Sequence, residues 1–254
     1  MQIQGNTILI TGGATGIGYA FAEAFLKIGN KVIICGRRED KLKEAQKSHP
    51  ELVIRVCDVS DEEERQSLFE WTTTNFPDLN IIINNAGIQR TIDLTKGVAE
   101  LKNGSDELKI NLEAPIYLSA QFIPFFRDKK DTAIINISSG LAFTPMARMP
   151  IYCATKAALH TYSMTLRHQL KDLDIKVFEV IPPMILDTEL NMEGRAKSGT
   201  NLVNFKTPTS AEFVEAVMNG IQKDEFEIGY GSSVDLKKAS REELDKRFEM
   251  MNNR

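Results

Sequence analysis

TGGATGIG, residues 11–18, follows the apolar run at 7–10 directly and leads into a helical pattern over 17–28. A Gly-rich turn between a strand and a helix aims backbone N–H groups and the positive end of the helix dipole at one spot, which suits a pyrophosphate. In that reading Gly12 permits the tight turn, Gly16 lets the backbone approach the phosphates, and Gly18 lets the helix pack close to the strand. The spacing is G-x-x-x-G-x-G, not the G-x-G-x-x-G of the standard fingerprint. Alone, the turn reads equally as a dinucleotide site and as a structural glycine turn.

Outward from this turn, apolar β-branched runs alternate with longer amphipathic stretches. That pattern predicts an α/β fold, a single-domain Rossmann-like doubly wound parallel sheet of about seven strands with helices on both faces. Strands are expected at 7–10, 31–35, 52–56, 80–84, 133–138, 176–181 and 225–229, with helices at 17–28, 39–48, 62–76, 105–126, 152–172 and 210–223. The runs at 81–84 and 133–137 are almost continuously apolar, as strands covered on both faces should be. Ser210, followed by Phe213 and Val214, reads as a capped helix start. No repeat or linker divides the chain, so 1–254 is expected to be one dinucleotide-binding and catalytic domain. Residues 184–206 are polar and lie past a strand end, as a substrate-binding lid or a disordered piece would. Residues 240–254 read as a terminal helix, packed on the body or a second subunit, or as a frayed tail.

Composition narrows the function class. With 254 residues, 42% hydrophobic and 26% charged, the chain reads as an ordinary globular domain. A net charge of −4 shows no basic excess, so nucleic acid is not an expected partner. Residues 1–6 have neither a basic region nor an apolar core, and no apolar run reaches spanning length, so neither signal peptide nor membrane span is expected. Cys35, Cys57 and Cys153 are odd in number and scattered, which argues against a disulfide framework and for a reduced, cytoplasmic setting. His49, His160 and His168 have no metal-ligand spacing with other candidate ligands, so no metal is expected.

Further features follow the turn in fixed order: CDV at 57–59, NNAG at 84–87, Asn111 inside a long helix, SSG at 138–140, and Tyr152-x-x-x-Lys156. Taken together, the chain resembles the short-chain dehydrogenase/reductase family in its single-domain branch. The stretches NNAGIQ, SGLAF, IYCATKAALH, TLRHQL and PPM are similar to DltE-like oxidoreductases of Gram-positive bacteria. The resemblance implies hydride transfer between a nicotinamide dinucleotide and a small-molecule carbonyl or secondary alcohol, by a homodimer or homotetramer joined through helices 105–126 and 152–172. A catalytically silent dinucleotide sensor or scaffold on the same fold is the alternative.

Tyr152 and Lys156 are four apart, so they share a helix face and can converge on one site. The resemblance makes Tyr152 the general acid and base, its pKa lowered by a nearby ammonium and an oxidised nicotinamide; Lys156 also holds the nicotinamide ribose. It makes Ser139, thirteen positions before Tyr152, the residue that bonds the substrate oxygen, with Ser138 facing the other way. Asn111 would hold a water linking Lys156 to solvent. The family's glycine three residues after the serine is Ala142 here.

For the cofactor, Thr15 and Ile17 join Gly12, Gly16 and Gly18 of the turn as expected binding residues, though Thr15 stands where family members place a basic residue; the resemblance assigns Asp58 and Val59 to the adenine, and Asn85, Ala86 and Gly87 to the cofactor's path along the fourth strand. NAD-selective members carry a carboxylate where CGRRED at 35–40 has Gly36, followed by Arg37. Arginine pairs with a 2′-phosphate, so NADP is preferred and NAD remains possible; Arg38 is a secondary candidate. Pro182 and Thr188 fall on the nicotinamide side, where PPMILDT at 182–188 has Pro183 for the family's glycine and one extra residue before Thr188.

Overall fold

The structure is a computed structural model that describes residues 1–103, 105–190 and 207–253. Its parallel sheet has seven strands: β1 Thr7–Thr11, β2 Lys31–Gly36, β3 Val53–Val56, β4 Leu79–Asn84, β5 Thr132–Ile137, β6 Ile175–Ile181 and β7 Glu227–Gly229. They lie in the order β3-β2-β1-β4-β5-β6-β7. The chain leaves β1 toward β2 on one side and returns to β4 on the other. The reversal opens a crevice at the C-terminal ends of β1 and β4, where open α/β sheets take ligands.

Helices cover both faces. On one, α1 Gly16–Lys27, α2 Glu39–Ser48 and α7 Ser210–Gln222 bury Phe21, Phe25, Leu42, Phe213 and Val217 against Ile8, Ile10 and Ile34. On the other, α3 Glu62–Asn75, α5 Ala114–Phe126 and α6 Pro150–Gln169 bury Leu68, Phe122, Phe126 and Leu166 against Leu9, Ile33, Ile82 and Ile134. Each fully buried aliphatic side chain contributes roughly 1.5–3 kcal/mol, so these two layers set the sheet's position. The short helices α4 Ser105–Leu108 and α8 Ser232–Leu236 and the terminal helix α9 Arg241–Asn252 complete the described elements.

The continuous helix expected over 105–126 is interrupted. Residues Lys109–Glu113 form a π-helical turn between α4 and α5. Pro115 accounts for it: it has no N–H to offer the Asn111 carbonyl four residues back, and its ring crowds that position. The helix expected to begin at 152 begins instead at Pro150, whose fixed φ suits a first helical position. Thr209, not Ser210, caps α7, with Glu212 completing a reciprocal capping box.

Of the expected lid, 191–206 lies outside the described residues, as does 254 of the tail. The described chain before and after 191–206 is joined: the Asp187 carboxylate accepts from Ser210 N at 2.9 Å and from its hydroxyl at 3.0 Å. The tail is helical and touches the body at its end, where Asn252 accepts from Ala147 N at 2.6 Å and donates to Pro145 O at 3.2 Å.

Removing the α7 cap is expected to matter modestly. Thr209→Ala should lower stability by about 1 kcal/mol, read as a lower urea midpoint at unchanged slope. An unchanged midpoint would mean that Asp187 alone holds this helix start.

Candidate active site

The turn after β1 is closed by groups from β2 and β4. Gly12 N and Gly13 N both donate to Cys35 O, at 2.8 and 3.3 Å. From the end of β4, Asn85 Nδ2 donates to the carbonyls of Thr11 and Gly12, at 2.9 and 3.1 Å. The Thr11 hydroxyl in turn accepts from Asn85 N and Ala86 N, both at 3.0 Å. Gly12 sits at φ +62°, and a Cβ there would stand 2.9 Å from Ala86 Cα. A Cβ at Gly18 would stand 2.4 Å from Asn85 Nδ2 and from Gly12 O, so Gly18 packs against the turn itself and not, as expected, against the strand. The glycine pressed on a strand is Gly13, where a Cβ would meet Ile34 Cγ2 at 2.5 Å. Neither Gly13 nor Thr11 stood out in the sequence.

The N-terminus of α1, carrying Gly16, Ile17 and Gly18, differs from those of α3, α7 and α9. Asp61, Thr209 and Ser240 cap those three helices. Thr15 makes no such cap on α1, whose first turn has no acidic residue. Its hydroxyl instead accepts from Arg38 at 3.2 Å. The first N–H groups of α1 are therefore left without a side-chain acceptor, the condition under which a helix end takes an anion.

Arg37 and Arg38 stand at the end of β2, beside Gly36, where an added Cβ would meet nothing within 4 Å. Arg37 is half exposed and only 3.7 Å from Asp58 Oδ2. Arg38 also pairs with Glu189 at 2.6 Å, which links the β2 end to the start of the expected lid. Asp58 spends Oδ1 on Ser60 N and Oγ, at 2.9 and 2.7 Å, and Val59 is buried beside it.

Toward the other end of the crevice, β5 ends at Ser138 and Ser139. Ser138 Oγ donates back to Val180 O at 3.3 Å, whereas the Ser139 hydroxyl acts on the Tyr152 phenol and favours its ionised form. Ser139 also accepts from Leu141 N at 3.1 Å, which sets the short turn through Ala142. Lys156, one helical turn past Tyr152 and 4% exposed, donates to Ile137 O at 2.8 Å; its Nζ lies 5.7 Å from the Tyr152 ring centroid.

Asn111, in the π-turn, accepts from Ile88 N at 2.9 Å and donates to Ile88 O at 2.8 Å and to Thr155 Oγ1 at 3.3 Å. Its amide is thus committed to the backbone beyond Gly87. A Cβ at Gly87 would stand 3.4 Å from Asn111 Oδ1 and 3.7 Å from Lys156 Nζ, which brings the three residues together. Pro182 O accepts from Gly140 N at 3.1 Å, and the Thr188 side chain lies 3.3 Å from where a Gly16 Cβ would be. Thr188 therefore closes on the Gly-rich turn despite Pro183.

Electrostatics correct one expectation. The Tyr152 phenol is not lowered toward neutrality in the chain alone; desolvation by burial pushes it up to about 12, against a lowering by the Ser139 hydrogen bond. Burial also lowers Lys156 to about 8, partly offset by the charge of Glu179. Both groups move toward their neutral forms, because both are cut off from water. Cys153, next to Tyr152, is a buried thiol that accepts from Met146 N at 3.3 Å and is raised by burial. Among the described residues, no group of acidic, histidine or cysteine side chains could hold a metal ion.

Sequence comparison finds that a family model described as short chain dehydrogenase matches residues 6–199. The chain is 44% identical over 252 residues to uncharacterized oxidoreductase DltE of Bacillus subtilis (strain 168), covering 99% of this chain and 98% of that one. A short chain dehydrogenase/reductase from Burkholderia phymatum, solved in complex with NAD, superposes with a TM-score of 0.83 at 18% identity, over 97% of this chain and 96% of the other. A short chain dehydrogenase from Burkholderia cenocepacia J2315, solved with NADP, gives 0.82 at 24% identity, over 98% and 99%. At such identities the two structures speak for the fold alone.

The buried ammonium makes stability depend on pH. Lys156 binds its proton less tightly folded than unfolded, so the folded state gains on the unfolded one as pH rises through about 8 toward 10.5. Relative to Lys156→Met, the wild type is expected to gain about 2 kcal/mol between roughly pH 7 and 9.5 in urea unfolding. A difference constant with pH would show that the ammonium is not desolvated.

Proposed function

The chain belongs to the short chain dehydrogenase family, and on that premise we propose that it is an oxidoreductase moving hydride between NADP(H) and a carbonyl or secondary alcohol. The observation that carries this is that Tyr152 and Lys156, one turn apart on α6, are both buried at the end of β5, where Lys156 donates to Ile137 O two residues before Ser139. Residues 1–254 act as one dinucleotide-binding and catalytic unit.

The residues present fit the dinucleotide. Uncapped N–H groups at the start of α1, beside a turn that leaves no room for a Cβ at Gly12 or Gly18, suit a pyrophosphate. Asp58 and Val59 would border the adenine, Lys156 and the stretch Asn85–Ala86–Gly87 the ribose side, and Pro182 and Thr188 the carboxamide. Arg37, the open space at Gly36 and the lack of a carboxylate at that position favour a 2′-phosphate. When bound, the nicotinamide supplies or takes up the hydride.

The chain's own groups handle the proton. Ser139 holds the substrate oxygen beside the phenol. Tyr152, protonated at neutral pH by its burial, gives its proton to that oxygen as it gains negative charge, and takes it back in the reverse direction. The Lys156 ammonium has three N–H groups and spends one on Ile137 O, which leaves two for the ribose and for stabilising the phenolate. Asn111 fixes the Ile88 backbone next to Lys156, at the turn through which a water would reach it.

A cytoplasmic setting fits the free, buried thiols; among the described residues no helix is long and apolar enough to cross a membrane. A homodimer or homotetramer would cover Leu108, Tyr117 and Met164, each about half exposed on α4, α5 and α6. Sedimentation showing monomer alone would reject this assembly.

Tyr152→Phe is expected to lower kcat by roughly 10²–10⁴-fold while leaving NADP+ affinity near wild type. Retained turnover would remove Tyr152 from the proton's path. Arg37→Ala should weaken NADP+ about 10-fold or more, the worth of a charge-assisted hydrogen bond, with NAD+ little changed in a thermal-shift titration. Equal losses for both would dismiss Arg37 as the 2′-phosphate ligand.

A further inference from the structure

One buried acid is used by nothing described so far. Glu179 lies inside β6, opposite Asn136 of β5, and is 0% exposed in a stretch where its strand neighbours Val177, Phe178, Val180 and Ile181 are all apolar core. Its Oε2 is 2.7 Å from His160 Nδ1, and its Oε1 has no hydrogen-bond partner. A carboxylate so placed bears a large desolvation cost unless a neighbouring charge needs it. Tyr152, Lys156 and His160 follow one another at four-residue intervals on α6, so they share a face of that helix.

We propose that Glu179 and His160 form a positioning pair behind Lys156, in which the buried carboxylate is the counter-charge of the ammonium and the imidazole keeps that carboxylate oriented. The inference rests on the reading of Tyr152 and Lys156 as the reacting pair. Lys156 Nζ donates to Ile137 O, next to Asn136, which is the register partner of Glu179 across β5 and β6, and His160 holds the carboxylate one turn further along the same helix face; from there Glu179 opposes the loss of the Lys156 proton that burial favours. His160, about one-fifth exposed and tilted against Phe143 with ring centroids 4.7 Å apart, connects the carboxylate to the protein surface. The other charges acting on the pair are Arg167 of α6 and Glu227 of β7, which oppose one another at His160; β5 presents only the neutral Asn136. Neither Glu179 nor His160 touches the reacting atoms. They act through Lys156.

The sign follows from the charge. Without the carboxylate, Lys156 loses its proton at lower pH, so the alkaline limb of kcat/KM moves down. For Glu179→Gln the shift expected is about one pH unit, the lower end for an opposite charge nearby. His160→Gln, which keeps a donor for the carboxylate, should retain the wild-type limb, whereas His160→Leu should move it as Glu179→Gln does. The second readout needs no turnover: the Lys156 Cε resonance in ¹³C-lysine-labelled, cofactor-free protein, assigned by its loss in Lys156→Arg. Its titration midpoint should fall by the same amount in Glu179→Gln and His160→Leu. An unmoved midpoint in either folded variant would reduce the pair to a structural contact. A wild type without hydride transfer would sink the oxidoreductase reading, while the Lys156 resonance would still decide the pair.

Discussion

The amide of Asn85 ties the turn after β1 to the end of β4, and the geometry of the crevice follows from that clamp. The Asn85 side chain donates to two consecutive carbonyls of the turn, and the Thr11 hydroxyl accepts from the Asn85 and Ala86 backbone N–H groups, so four bonds cross the strand-order reversal. Each such bond is worth about 1 kcal/mol net, and leaving its buried partner unpaired costs as much or more. The turn therefore cannot open without β4 moving. Gly12 and Gly18 are required because Asn85 and Ala86 come so close. The uncapped start of α1 is held at a fixed distance from the serine and tyrosine across the crevice.

Water exclusion governs the second half of the site. Tyr152 and Lys156 lie on one helical face, but burial drives the phenol up and the ammonium down. Proximity of a cation is thus insufficient to make the phenol acidic here. In the proposed reaction an oxidised nicotinamide would bring a further positive charge beside the phenol, and the ammonium would have to stay charged meanwhile. The carboxylate in β6 answers the second need from behind, on a strand packed against the sheet's interior, where its position is not disturbed by loop motion.

The strands were legible because both faces of the sheet are covered, which leaves apolar runs such as 81–83 with no polar alternation to blur them. The Tyr152–Lys156 pair and Ser139 were legible through spacing along one helix and resemblance across a short stretch of chain. What escaped depended on contacts between distant segments. Asn84, Asn136, Ser119 and Ser163 form a buried amide–hydroxyl network across β4, β5, α5 and α6, though each looks like an isolated polar residue in its own element. Glu179 reads as a misplaced charge in a strand until His160, one turn past Lys156, is brought beside it. The π-turn at Asn111 has a local signal in Pro115, masked by the helical periodicity around it. The level of Tyr152's pKa was unreadable, since desolvation depends on everything that surrounds the ring.

Asp187 and Ser210 bring the two ends of the stretch between them within hydrogen-bond reach. A chain segment whose endpoints are already joined pays only a logarithmic entropy for added length, about 0.6 kcal/mol for each doubling. Within it Thr188 packs on Gly16 and Glu189 pairs with Arg38, so the start of the stretch is tied to the Gly-rich turn as well as to Ser210. Descendants of this scaffold could therefore vary the length of the stretch at small entropic cost while both of its anchors stay in place.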